Sequence, residues 1–194
     1  LLSVGRAVPK KGFDQLLDAL ARLPDGVSWH WTHIGGGKEL KALKRRAEEL
    51  GLKDRVAWRG AAAQSAVLEA YRASDLFILP SRIAEDGDRD GLPNVLMEAQ
   101  SQALCCLATD VSAIPELIED GVTGALVPPD DIAALAAAIE NLIRNPALRK
   151  QYGAAGEAKV RTRFGHQAAI GTLAALLGLN SAETGAASGT DEAA

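Results

Sequence analysis

Short apolar runs, separated by glycine-containing loops and amphipathic stretches, recur along the chain. LLSVGR reads as a buried strand ending in glycine, and Phe13, Leu16, Leu17, Leu20 and Leu23 then repeat at helical spacing. Ser28 to Gly35 alternates, meets the triplet Gly35, Gly36 and Gly37, and leads into a charged amphipathic helix from about Glu39 to Leu50. Arg55 to Gly60 predicts a third strand, Ser65 to Ala73 a third helix, and the DLFILP run from Asp75 to Pro80 a fourth strand. A helix over Pro93 to Gln102, a strand through Leu104 to Ala108, the IPELI turn and a strand in GALVP follow. Beyond Pro129 the pattern is wholly helical: Asp130 or Asp131 caps a helix to Arg144, and helical pieces run from Pro146 to about Leu177. Strands alternating with helices at this pitch predict an α/β fold, a parallel sheet with helices on both faces and a helical C-terminal segment. The last stretch, NSAETGAASGTDEAA, has almost nothing to bury, so we expect one domain over residues 1–179 and a disordered polar tail over 180–194.

One segment fits no regular pattern. From Pro80 to Leu92 the chain is a long loop inside a tightly connected domain, and such loops are usually functional. Its end, DGDRDGLPNVLME from Asp86 to Glu98, places Asp86, Asp88 and Asp90 before a helix that carries Glu98. Buried carboxylates at this density need solvent or a ligand rich in donors. Pro93 suits the first turn of a helix, so the helix is predicted to start near Leu92 or Pro93. Free N–H groups of Leu92, Asn94 and Val95 would then point into the loop and favour an anion. A calcium reading competes, because Asp86, Asp88, Asp90 and Gly91 match the opening of an EF-hand loop. Its closing position holds Met97, with Glu98 one residue late.

Ligands of doubly wound sheets bind outside the carboxyl ends of the strands. That rule gathers three loops on one edge: Arg6 to Gly12, Gly35 to Gly37, and Asp86 to Leu92. Their chemistry is complementary, with cations and helix N-terminal amides for phosphate and carboxylates for hydroxyls. Each feature has a plainer reading: Arg6 and Lys11 as solvated cations, Glu98 as a helix surface residue, and Gly35 to Lys38 as a turn without Walker A or G-x-G-x-x-G spacing. Because Val95, Leu96 and Met97 imply burial around Glu98, that carboxylate is expected to have a polar partner. His30, His33 and His166 do not cluster and read as structural.

Composition narrows the classes. Of the 194 residues 47% are hydrophobic and 24% charged, the profile of an ordinary globular protein. A net charge of −4 supplies no global basic field for nucleic acid or an anionic membrane. Adjacent Cys105 and Cys106 make no disulfide framework or metal-ligand spacing and read as small buried strand residues in a reducing compartment. Neither a signal peptide nor a spanning apolar run appears, so a cytoplasmic location is expected. The chain opens on Leu1 and its single methionine is Met97, which leads us to expect part of a longer protein.

Four blocks together resemble the C-terminal, donor-binding domain of a family 4 retaining glycosyltransferase, one Rossmann-like half of a GT-B fold. They are SVGRAVPKKGFD; IGGGKELKALKRRAEELGLKDRVAWRG; SDLFILPS through DGLPNVLMEAQ; and ATDVSAIPELIEDGVTGALVPPDD, within a similarity over Leu1 to Leu177. The resemblance implies catalytic roles for Arg6 and Lys11, which would hold the nucleotide diphosphate. It also implies an acid pair with seven intervening residues, here Asp90 and Glu98. Asp90 would face the transferred sugar and Glu98 would accept from ribose hydroxyls. Gly5, Gly35 and the backbone of Gly91, Leu92, Pro93, Asn94 and Val95 would approach phosphates or sugar, and Arg55 and Val56 would lie by the base. No cofactor or metal is implied, since the substrate is a UDP- or GDP-type sugar. An N-terminal domain would bind the acceptor and provide at most peripheral association with the inner membrane face, and the fragment alone would transfer sugar poorly. Against the family pattern, Asp90 replaces the usual Glu, Ala103 to Cys105 replace Gly-Leu-Pro, and Ser112 and Ala113 replace a glycine pair. These departures keep a second expectation open, a non-catalytic binding or scaffolding module with a decayed site.

Overall fold

The computed structural model describes residues 1–163. The expected helical piece from Ala168 to Leu177, His166 and the tail over 180–194 lie outside the described residues. Among the described residues six strands form one parallel sheet: β1 (Leu2–Val4), β2 (Trp31–Ile34), β3 (Val56–Trp58), β4 (Phe77–Leu79), β5 (Cys106–Thr109) and β6 (Ala125–Val127). The spatial order is β3-β2-β1-β4-β5-β6, so the chain winds one way from β1, returns, and continues on the other side of it. Between β1 and β4 the winding reverses. The loops leaving these two strands therefore diverge and open a crevice at the carboxyl edge.

The sheet is covered on both faces, which explains why its strands are mostly apolar. Phe77, Ile78, Leu79, Cys106, Leu107 and Ala108 are fully buried. Helices α1 (Phe13–Leu20) and α2 (Leu40–Glu49) carry the winding on one side of β1, while α3 (Gln64–Arg72) and α4 (Asn94–Ser101) carry it on the other. The short α5 (Ile114–Leu117) precedes β6; α6 (Ile132–Arg144) packs on α1, and α7 (Pro146–Arg163) packs on α4. Asp131 caps α6 by accepting a hydrogen bond from the Ala134 amide at 2.8 Å.

Two helices end in the same motif with different residues in the critical place. In α2 the Leu52 amide donates to Ala47 O and that of Gly51 to Glu48 O; in α4 the Leu104 amide donates to Ala99 O and that of Ala103 to Gln100 O. Both turns need a left-handed residue, met by Gly51 at φ 71° and by Ala103 at φ 55°. Alanine pays a Cβ clash there that glycine avoids. Ala103 is exposed, so its methyl gains little in return. Ala103→Gly is expected to stabilise the fold by about 1 kcal/mol and Gly51→Ala to destabilise it by about as much, read as opposite shifts of the urea midpoint.

Candidate functional site

The loop after β1 runs over Gly5 to Gly12. Its backbone rests on the loop after β2: Gly5 N donates to Ile34 O at 2.9 Å, Ala7 N to Gly36 O at 2.7 Å, and Glu39 N to Ala7 O at 3.1 Å. Gly5 leaves room above it, where a Cβ would sit 3.6 Å from Lys11 Cε. The Lys11 chain crosses this gap and brings its ammonium toward β4. At Gly12, φ is 63° and a Cβ would overlap Pro80 O at 2.0 Å, so the start of α1 is pressed against the end of β4. These two approaches bring the loops after β1 and β4 together at the switch point.

What they bring together is charge. Lys11 Nζ donates to Asp90 Oδ2 at 2.6 Å, with side chains only 11% and 14% exposed. Buried Ser81 also donates to Asp90 Oδ2, at 3.3 Å, and Lys10 Nζ lies 3.5 Å from Oδ1. Lys10 bonds Asp88 at 2.9 Å. That hydrogen bond raises the Lys10 pKa and lowers that of Asp88, where Arg6 adds a weaker pull at longer range. Thr109 Oγ1 donates to Ser81 O, tying the β4 loop to β5. Arg82 donates to Pro9 O and to Asp14 Oδ2, each at 3.0 Å. Arg6 is exposed and, among the described residues, makes no ion pair.

The loop itself is folded on local bonds. Asp86 Oδ1 accepts the Asp88 amide at 3.0 Å, and Ala84 N donates to Asp88 O at 2.9 Å. The three aspartates of the calcium reading thus point to different partners, a backbone amide, Lys10 and Lys11. Among the described residues no group of three or more His, Cys, Asp or Glu is placed to hold a metal ion.

Helix α4 begins one residue later than its sequence suggests. Pro93 is the extended N-cap at φ −70° and ψ 118°, Leu96 N donates back to Pro93 O, and the Asn94 and Val95 amides open the helix without intrahelical partners. Gly91 and Asn94 are exposed, Leu92 and Val95 half-buried, and Pro93 buried. One turn in, Glu98 is half-buried, and its Oε2 accepts from Tyr71 Oη at 3.1 Å. Tyr71, on α3, is 1% exposed and also donates to Val95 O at 3.3 Å. Burial first, and the Glu98 carboxylate second, push the Tyr71 hydroxyl well above its ordinary pKa. It therefore stays a proton donor that orients Glu98. The polar partner expected for Glu98 is this tyrosine.

Arg55 and Val56 stand apart from the other expected site residues. Val56 is the first residue of β3, in register with Trp31 at the start of β2. Arg55 donates to Val27 O at 2.9 Å and stacks over Trp29, 3.9 Å from the ring centre. Both sit at the amino edge of the sheet, opposite the crevice. The carboxyl end of β3 instead supplies Gly60, whose carbonyl accepts from Gly35 N at 2.7 Å. Sequence reasoning missed Ser81 and Tyr71, and it saw Lys10 and Asp88 only as members of the cationic and acidic loops, not as a pair. The lysine doublet facing aspartates spaced two apart was a usable signal for that pair, whereas Ser81 and Tyr71 carried none.

A parallel sheet ordered 3-2-1-4-5-6, with cations and a helix N-terminus at its switch point and carboxylates beside them, defines a Rossmann-like nucleotide-binding domain. Residues 1–159 match the family model described as glycosyl transferases group 1. The chain belongs to that family, and it corresponds to the C-terminal, nucleotide-sugar-binding half of the GT-B fold. Amylovoran biosynthesis glycosyltransferase AmsK of Erwinia amylovora is 36% identical over 178 residues, which cover 91% of this chain and 44% of that protein. Among solved structures, Anabaena HepE in complex with UDP superposes with a TM-score of 0.80 at 25% identity, over 92% of this chain and 48% of its own. The C-terminal domain of LpcC, a glycosyl transferase group 1 family protein from Francisella tularensis, gives 0.74 at 25% identity over 86% of both chains. The chain thus spans less than half the length of AmsK and HepE. No helix among the described residues is long and apolar enough to cross a membrane.

Proposed function

We propose that this chain binds the donor of a retaining hexosyltransferase, a UDP- or GDP-linked sugar, across the β1/β4 crevice. The acceptor, a glycan, lipid or small molecule, would be bound by a separate N-terminal domain at the cytoplasmic side. Arg6, Lys11 and the Asn94 and Val95 amides take the diphosphate, Glu98 takes the ribose hydroxyls, and Asp90 faces the sugar. The single observation that carries the reading is the Lys11–Asp90 contact of 2.6 Å, which joins the two switch-point loops and places a cation beside a carboxylate. The UDP held by HepE supports the choice of ligand class.

In the reaction the bond from sugar carbon to phosphate oxygen breaks and its electron pair stays on the diphosphate. An acceptor hydroxyl forms the new bond and releases its proton. Fixed cations and helix N-terminal amides lower the energy of the departing diphosphate without rearranging at the moment of transfer.

Calorimetry of the chain against UDP, GDP, ADP and their sugars tests this reading. One nucleotide should bind and raise the melting temperature. Arg6→Ala removes an exposed cation that makes no ion pair among the described residues, and Glu98→Gln keeps an acceptor for Tyr71. Each should lower affinity about tenfold with an unchanged melting temperature in the absence of ligand. Full affinity in both variants, or no nucleotide bound by the parent chain, would overturn the assignment.

A further inference from the structure

The same contact that marks the site also creates a competition within it. We propose that Asp90 sets a preference for sugar-bearing over sugar-free nucleoside diphosphates by competing with the diphosphate for Lys11. The inference rests on the donor-site reading above.

Asp90 is 14% exposed and depends on three donors: Lys11 at 2.6 Å, Ser81 at 3.3 Å and Lys10 at 3.5 Å. Only the first is a short, charge-assisted bond. Lys10 is shared, because it bonds Asp88 at the shorter distance of 2.9 Å. Nor can the Asp90 loop simply swing into solvent. It is held by the Asp86–Asp88 turn, by Ala84 N on Asp88 O, and by Arg82 N on Lys10 O at 2.8 Å.

A diphosphate offers oxygen acceptors and no N–H donors. When it draws Lys11 away, Asp90 keeps its charge in a largely buried place with a long hydroxyl bond and a shared lysine. A buried carboxylate deprived of its cation is strongly destabilised. The sugar of a donor carries hydroxyl groups, which donate to Asp90 and replace what Lys11 withdrew. Donor binding is thereby compensated and diphosphate binding is not. After transfer the sugar departs, Asp90 reclaims Lys11, and the nucleoside diphosphate is expelled. Arg6, which is exposed, attracts both ligands alike.

The test is titration calorimetry on the full chain with UDP, UDP-glucose, GDP and GDP-mannose as probes. The readout is the ratio of diphosphate Kd to sugar-diphosphate Kd for the nucleotide that binds. Asp90→Asn removes the competing charge, so the bare diphosphate should tighten about fivefold, the sugar form should weaken, and the ratio should fall about tenfold. Lys10→Met leaves Asp90 one donor poorer when Lys11 departs, so the ratio should move the other way, rising about threefold. If Asp90→Asn does not fold, as judged by its melting transition, Lys10→Met decides alone. A ratio within about twofold of the parent value in either folded variant overturns the inference while the donor site stands. A parent chain that binds none of the probes overturns the donor-site reading itself.

Discussion

Gly35→Ala is expected to destabilise the domain by about 4 kcal/mol and lower its melting temperature by about 12 °C, whereas Gly36→Ala next to it should change little. The contrast follows from where each missing Cβ would go. At Gly35 it would lie 1.9 Å from Gly5 O and 2.7 Å from Gly5 C, on a backbone with φ 148° that side chains rarely adopt. At Gly36 it would meet nothing within 4 Å. Gly37 repeats the first case, with a Cβ 2.4 Å from Ala7 O and 2.6 Å from Ala7 N. No side chain can move aside, because every obstructing atom is backbone. Relief requires parting the loops after β1 and β2, which breaks the bonds from Gly5 to Ile34, Ala7 to Gly36 and Glu39 to Ala7. Those bonds set the path of the loop that presents Arg6 and Lys11. Scanning calorimetry of the three alanine variants checks the order, and a Gly36→Ala loss equal to that of Gly35→Ala would show that generic backbone entropy, not contact, is responsible.

This comparison shows what kind of information the string of residues carries. A glycine triplet at a strand's carboxyl end was legible as a special turn, yet its use as backbone-on-backbone packing between two loops was not. Succession of elements was readable because buried parallel strands are short apolar runs, as in Phe77–Leu79, and because α1 repeats its leucines at one spacing. The start of α4 was misplaced by a residue for a definite reason. Proline's restricted φ suits both an extended N-cap and a first helical residue, and only ψ, here 118°, separates them. Helix α7 carries two glycines whose use only the packing shows. Gly153 and Gly156 read as weak points in a helix, but a Cβ at Gly153 would lie 2.0 Å from Ala103 O and one at Gly156 2.8 Å from Gln100 Nε2, so they let α7 approach α4.

Within the candidate site the residue types were legible and the pairings were not. Arg6, Lys11, Asp90 and Glu98 stand out because cations and carboxylates bracket glycine and proline turns. That Lys11 meets Asp90, 79 positions away, depends on the crossover that puts β4 beside β1. Tyr71 reaches Glu98 across 27 positions only because α3 and α4 share a face of the sheet. The position of Arg55 was not legible because a strand has two ends, and its sequence does not say which end an arginine serves. Trp29 and two carbonyls claim it at the amino edge.

Acidification should destabilise this domain through His33. The residue lies on β2, fully buried among Phe13, Trp31 and Trp58, whose ring centres stand 4.8, 5.9 and 5.5 Å from its own. Among the described residues neither ring nitrogen finds a hydrogen-bond partner. Burial lowers its pKa from 6.5 to about 4, opposed only in part by the neighbouring Gly5 backbone. In the unfolded chain the same imidazole binds its proton near pH 6.5. Between about pH 6.5 and 4 the unfolded state therefore holds more protons, and stability falls as the pH falls, by about 1.4 kcal/mol per unit and about 3 kcal/mol across the window. Above pH 6.5 both states are neutral and this contribution is intact. His33→Phe keeps an aromatic ring in the cluster and removes the titration. Urea unfolding of both proteins from pH 7 to 4 should show the parent losing about 3 kcal/mol more than the variant, with the difference confined to that window. Parallel pH curves would mean that the imidazole finds a proton acceptor in the native state. Because the native imidazole stays neutral until the pH nears 4, the β2 support of the Arg6 loop is undisturbed through most of this window, and nucleotide affinity of the folded domain should hold while its stability falls.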